Sequence, residues 1–131
     1  WAHTGLGRII QPVENHVAML ESILEDPACR NVCFDISWDE VAKYVVSTPE
    51  ATRRTADLLT RYPDRFLFGS DTVAPKSPEA YYSVYDMYQP LWDLLSKEVR
   101  DKVLKGNYER IFDEGRRKTR AWEAAQLAKR K

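Results

Sequence analysis

Apolar positions along this chain switch repeatedly between two spacings. Short, nearly continuous apolar runs, "NVCFDIS" and "RFLFGSD", alternate with longer stretches whose apolar residues recur every three or four positions. The first kind predicts buried strands and the second amphipathic helices. "WAHTGL" reads as the tail of a further strand. After it, "PVENHVAMLESILED" sets Val13, Val17, Leu20 and Leu24 at helical spacing, with Pro12 in the first turn and Pro27 just past the end. In "NVCFDIS", Val32, Phe34 and Ile36 share one face and Cys33 takes the other.

Helix starts are marked by short polar residues. Ser37 precedes "WDEVAKYVV" with Glu40 three positions on, which predicts a capping box. Thr48-Pro49-Glu50 opens a helix with Ala51, Thr55, Leu58, Leu59 and Tyr62 as its packed stripe, stopped by Pro63. Ser77-Pro78-Glu79 opens the next, "AYYSVYDMYQPLWDLL", which Pro90 should kink or split. Ser96 is predicted to cap "KEVRDKVLK", Gly106 to end it, and Asn107 to cap the last helix. The aromatic segment "YYSVYDMYQPLW" suits either helix packing or a pocket wall. His16, between core positions of its helix, reads as surface or helix packing.

Strands alternating with helices of this length predict parallel β/α units in an α/β fold. Three strands are few for a free-standing parallel sheet, because both outer ones present unpaired backbone groups. The expectation is a portion of a larger sheet, completed by the remaining N-terminal part of the protein or by another copy of the chain. An opening at Trp1, with no Met, agrees with that expectation.

Composition narrows the class. The 131 residues suffice for one domain; 44% are hydrophobic and 31% charged, a soluble profile. No apolar run approaches the ~18 residues of a membrane span, and no signal peptide is visible, so a cytoplasmic setting is expected. A formal net charge of +0 gives no global field for nucleic acid. The charge is uneven: residues 115–131 carry seven basic side chains against the single acid Glu123, and read as a solvated basic terminal helix following a unit at 1–114. Cys29 and Cys33 lack a second ligand pair and do not make a zinc motif; Cys33 reads as a small core residue.

The chemistry-bearing residues collect at the strand ends, where parallel β/α folds place their sites. The first strand ends on His3, the second on Asp35 with Ser37 and Trp38 in its loop, and the third on Ser70, Asp71 and Thr72. His3 suits a core histidine or a ligand; Asp71 suits a turn, a cation or a proton transfer; Asp35 suits a cap or a pocket wall. Together, His3 and Asp71 are candidate ligands of one divalent cation. Asp35, Trp38 and Arg8 are the candidate substrate contacts. A doubly wound sheet holding a phosphate is disfavoured, because "TGLGRII" has Ile10 where the third glycine belongs.

Three segments carry a family resemblance. "WAHTGLGR" resembles the sixth-strand segment of the amidohydrolase-related metal-dependent hydrolases, "FLFGSDTVAP" the eighth, and "VLKGNYERIFDE" the closing motif; "NVCFDIS" falls where the seventh strand belongs. The resemblance extends to about Glu114. It implies the last three β/α units of a (β/α)8 barrel, with extra C-terminal helices. It further implies a divalent metal, zinc by preference, and a small-molecule substrate whose amide, ester or related bond is hydrolysed by a metal-activated water. Asp71 would touch the metal and take a proton from that water; His3 would be a metal ligand or would polarise the substrate. Decarboxylation is the alternative reaction within the same resemblance. The family's His-x-His pair and its fourth- and fifth-strand ligands have no counterpart here. Catalysis is therefore expected of the complete protein, with this chain alone an inactive fragment or assembly unit.

Overall fold

The structure, a computed structural model, describes residues 1–129. Arg130 and Lys131 of the basic segment lie outside the described residues. Two parallel strands, β1 (Phe34–Asp35) and β2 (Phe66–Leu67), pair in the register Phe34 with Phe66 and Asp35 with Leu67. Trp1 supplies a third parallel rung: its amino group donates to the Cys33 carbonyl at 2.6 Å, and its carbonyl accepts from the Asp35 amide at 2.9 Å. The predicted strand at "WAHTGL" is thus reduced to one residue, because Ala2–Gly5 turn away in a short 3-10 segment. Gly5 has φ +78, and a Cβ there would sit 2.9 Å from the Trp1 ring, so the turn needs glycine.

Among the described residues, seven helices surround the strands: α1 (His16–Glu25), α2 (Asp39–Val45), α3 (Pro49–Arg61), α4 (Pro78–Met87), α5 (Gln89–Trp92), α6 (Lys97–Asp101) and α7 (Asn107–Ala128). None among the described residues is long and apolar enough to cross a membrane. The helices bury one face of the sheet, through Phe34, Ile36, Phe66 and Phe68. Asp35 and Leu67, on the other face, stay half-buried. The Phe34 and Phe66 rings stack at 5.8 Å, while Phe68 meets Tyr85, Tyr88 and Trp92 edge-on at 4.8–5.0 Å. The aromatic segment thus enters the core at Val84, Tyr88, Leu91 and Trp92, and Pro90 splits it into α4 and α5.

Local capping signals survive folding where nothing competes for them. Thr48, Ser77 and Ser96 accept from the amides of Ala51, Ala80 and Val99. Four expectations do not hold. Helix α1 begins at His16 rather than in the Pro12 turn, and Val13 is exposed. Cys33 is half-buried, with a free thiol. The Ser37 capping box is absent: Ser37 gives its hydroxyl to Asp35, and Glu40 pairs with Lys43 at 2.7 Å. Finally, Gly106 does not end a helix and Asn107 does not cap one. The chain runs from α6 through a π-helical turn, Lys102–Gly106, straight into α7, which passes residues 114 and 115 unbroken. Asn107 is 1% exposed, and its Nδ2 donates to the carbonyls of Pro63 at 2.7 Å and Phe66 at 2.8 Å. It ties α7 to the start of β2.

Candidate active site

Three chain turns at the C-terminal ends of the parallel segments bring the predicted residues together. His3 lies just past the Trp1 rung, Trp38 past β1 and Asp71 past β2. His3 Nε2 is 3.8 Å from Asp71 Oδ2. Its other nitrogen, Nδ1, faces the Ser37 carbonyl at 3.1 Å. A carbonyl only accepts, so Nδ1 carries the hydrogen and, in the neutral ring, Nε2 presents a lone pair. That lone pair points at a carboxylate oxygen too distant for a direct hydrogen bond.

These residues hold unusual backbone. His3, Thr4, Trp38 and Asp71 have φ of 54°, 51°, 99° and 50°. Each non-glycine residue in this region costs about 1–3 kcal/mol, and such residues cluster where function requires a fixed direction. Trp38 owes its place to Asp35, whose Oδ1 accepts from the Ser37 amide at 2.7 Å and from the Ser37 hydroxyl. From the other side, the Tyr88 hydroxyl donates to the carbonyls of Ile36 and Trp38, the latter at 2.9 Å. Burial pushes the Tyr88 hydroxyl well above its ordinary pKa, and the charges of Asp35 and Asp39 push the same way. The close approach of the two loops leaves Gly69 without room: a Cβ would lie 3.3 Å from Ser37 Oγ.

Beside this contact opens a cleft of about 520 Å³. Arg8, Trp38, Asp71 and Thr72 line one side and Ala80, Ser83, Val84 and Met87 of α4 the other. The Arg8 guanidinium lies over the Trp38 ring at 5.7 Å, and the His3 ring meets that indole at 4.9 Å. Thr72 Oγ1 is buried with no hydrogen-bond partner, a spare polar group next to Asp71. On α4, the Tyr81 and Tyr85 hydroxyls are 3.5 Å apart. Their contact pushes Tyr85 up to about 12 and, with Ser70, holds Tyr81 below its usual value. Of the predicted substrate contacts, Arg8 and Trp38 line the cleft. Asp35 does not; its carboxylate serves the Ser37 loop. Sequence reasoning missed Tyr88, which holds the carbonyls of Ile36 and Trp38, and the Ser37 carbonyl that orients His3, because backbone carbonyls leave no mark in the sequence.

Ligand distances of about 2.0–2.2 Å allow two donors of one zinc ion to lie up to about 4.4 Å apart. The 3.8 Å between His3 and Asp71 fits a shared ion, and the Ser37 carbonyl behind Nδ1 is the partner that ligating histidines use. Among the described residues, no group of three or more His, Cys, Asp or Glu side chains is placed to hold a metal.

The amidohydrolase family is matched over residues 2–113, and the chain belongs to that family. This is a hydrolase-type enzyme family whose members typically use divalent metals. No curated protein and no solved structure matches the chain.

Proposed function

We propose that this chain forms the last three β/α units of a (β/α)8 amidohydrolase barrel and contributes His3 and Asp71 to a divalent metal centre, zinc by preference. The reading is carried by the His3 ring, whose Nδ1 hydrogen is committed to Ser37 and whose Nε2 faces Asp71 at 3.8 Å. An ion bound there supplies positive charge that brings the pKa of a water toward neutrality. Asp71 would accept the proton of the attacking water. His3 is fixed in direction by the Ser37 loop, which Asp35 braces. Arg8 and Trp38 bind the small-molecule substrate in the cleft, whose amide, ester or related bond is hydrolysed.

The half-buried sheet face bearing Asp35 and Leu67 corresponds to the barrel interior in this reading. The further metal donors come from outside these residues, from the preceding β/α units or from a second copy of the chain. In the assembled protein, Asp71→Asn lowers turnover by about 10²–10⁴-fold, the usual span of acid–base catalysis, and lowers metal content much less. A turn-forming aspartate would be replaced by asparagine with little effect. Near-normal turnover at normal metal content removes Asp71 from the mechanism.

A further inference from the structure

His16 has no part in the site described so far, yet it touches the turn that carries His3. Its Nε2 lies 2.9 Å from the Thr4 carbonyl oxygen, across twelve positions of chain. His3 and Thr4 are the non-glycine residues of that turn's left-handed run, which Gly5 completes, and Thr4 is 3% exposed. Apart from His3 Nδ1 on the Ser37 carbonyl at 3.1 Å, the turn's other hydrogen bonds are internal: Thr4 Oγ1 and the Leu6 amide both donate to the His3 carbonyl, at 2.7 and 2.9 Å. These close the turn upon itself and do not fix its orientation. The His16 contact is the side-chain bond that ties the turn to α1, at that helix's first residue. The connecting loop adds the Gly7 amide on the Ile10 carbonyl at 2.9 Å, while Ile9 and Ile10 are exposed.

We infer that His16 is a positioning residue: by donating from Nε2 to the Thr4 carbonyl it holds the left-handed His3–Thr4 turn against α1, so that the His3 ring meets Ser37 and Asp71. The inference rests on the reading of His3 as a working residue of the site. It carries a feature that can be observed directly. Each histidine faces a backbone carbonyl, and a carbonyl only accepts. His16 is therefore the Nε2–H tautomer, and His3, bonded through Nδ1 to Ser37, is the Nδ1–H tautomer. The chain has only these two histidines, held in opposite tautomers by different carbonyls.

The experiment is long-range ¹H–¹⁵N NMR of the imidazoles in the full chain, at a pH where both rings are neutral. The unaltered chain should show one ring of each tautomer. In His16→Leu, which has no donor, the His3 signals should move to the averaged pattern of a free imidazole. His16→Gln places an amide N–H near the former Nε2 and should restore the Nδ1–H pattern of His3. The inference is overturned if both rings of the unaltered chain share one tautomer. It is also overturned if folded His16→Leu leaves His3 unchanged, if folded His16→Gln fails to restore it, or if both variants unfold, since His16 would then hold the fold as a whole. The readout needs no metal. A cobalt(II) titration of the assembled protein, made alongside, separates the two ideas. Unaltered cobalt binding in His3→Ala refutes the metal-centre reading and leaves the tautomer result standing.

Discussion

Asn107→Asp separates two roles that one side chain could play. As a helix cap, aspartate equals asparagine, and the substitution would be close to neutral. In the structure, however, Asn107 lies inside a continuous helical run and acts as a donor. Its Nδ2 gives both hydrogens to carbonyls, Pro63 at 2.7 Å and Phe66 at 2.8 Å. An ionised carboxylate only accepts, so two acceptors lose their partner at a site 1% exposed. Each buried carbonyl left unsatisfied costs about 1–3 kcal/mol, which gives about 2–6 kcal/mol for the pair. Arg110 Nη2, 3.4 Å from Asn107 Oδ1, offsets a small part through the new charge. The loss is large against the about 5–15 kcal/mol that holds a domain together. It also depends on pH. Burial raises the folded-state pKa of the new carboxyl above its unfolded value of about 3.9, so the penalty grows as pH rises between the two and shrinks below them. A protonated carboxyl regains one donor. Urea unfolding of the two proteins at pH 7 and pH 4.5 measures both effects. A loss under about 1 kcal/mol at pH 7, or one independent of pH, refutes the anchoring role and restores the cap.

Two further outcomes follow from other groups. Because the Tyr88 hydroxyl keeps its proton in the fold well above the about 10 of an unfolded tyrosine, the unfolded chain binds fewer protons in that range, and stability falls by about 1.4 kcal/mol per pH unit above pH 10. Tyr85, pushed up to about 12, adds a loss of the same sign between those values. Tyr88→Phe leaves buried carbonyls without their donor and should cost about 1–3 kcal/mol at pH 7 and flatten the alkaline slope; denaturant midpoints at pH 7 and above 10 that leave the slope intact would refute this. Because no group of three or more His, Cys, Asp or Glu side chains among the described residues is placed to hold a metal, the isolated chain should lose zinc on dialysis against a mild chelator. Stoichiometric zinc retained by atomic absorption would mean that other donors of the chain join them.

What the sequence made legible was local or periodic. The parallel pair at Phe34 and Phe66 followed from two apolar runs separated by helical spacing, and the caps at Thr48, Ser77 and Ser96 from hydroxyls with an amide three residues away. The meeting of His3 and Asp71 followed from their place at strand ends. Expectations failed where a distant or stronger partner claimed the same group. Ser37 had an amide within capping reach but found the Asp35 carboxylate. Asn107 looked like a cap and instead reached carbonyls over 40 positions earlier in the chain. His16 fell between apolar positions and reached a carbonyl outside its helix. Such acceptors leave no trace in spacing, because every residue carries a carbonyl.

The span of these contacts bears on how the protein is made. His3 meets Ser37 across 34 positions, Asn107 meets Phe66 across 41 and Tyr88 meets Ile36 across 52. These contacts join distant segments, and closing such loops costs entropy before any contact repays it. On a ribosome adding about 5–20 residues per second, His3 emerges seconds before its partner Ser37. Asp71 arrives before the residue that anchors its strand to α7. The nascent chain therefore carries the Phe66 strand without its Asn107 anchor until α7 is made, and that interval is when a chaperone or a neighbouring chain competes for the strand.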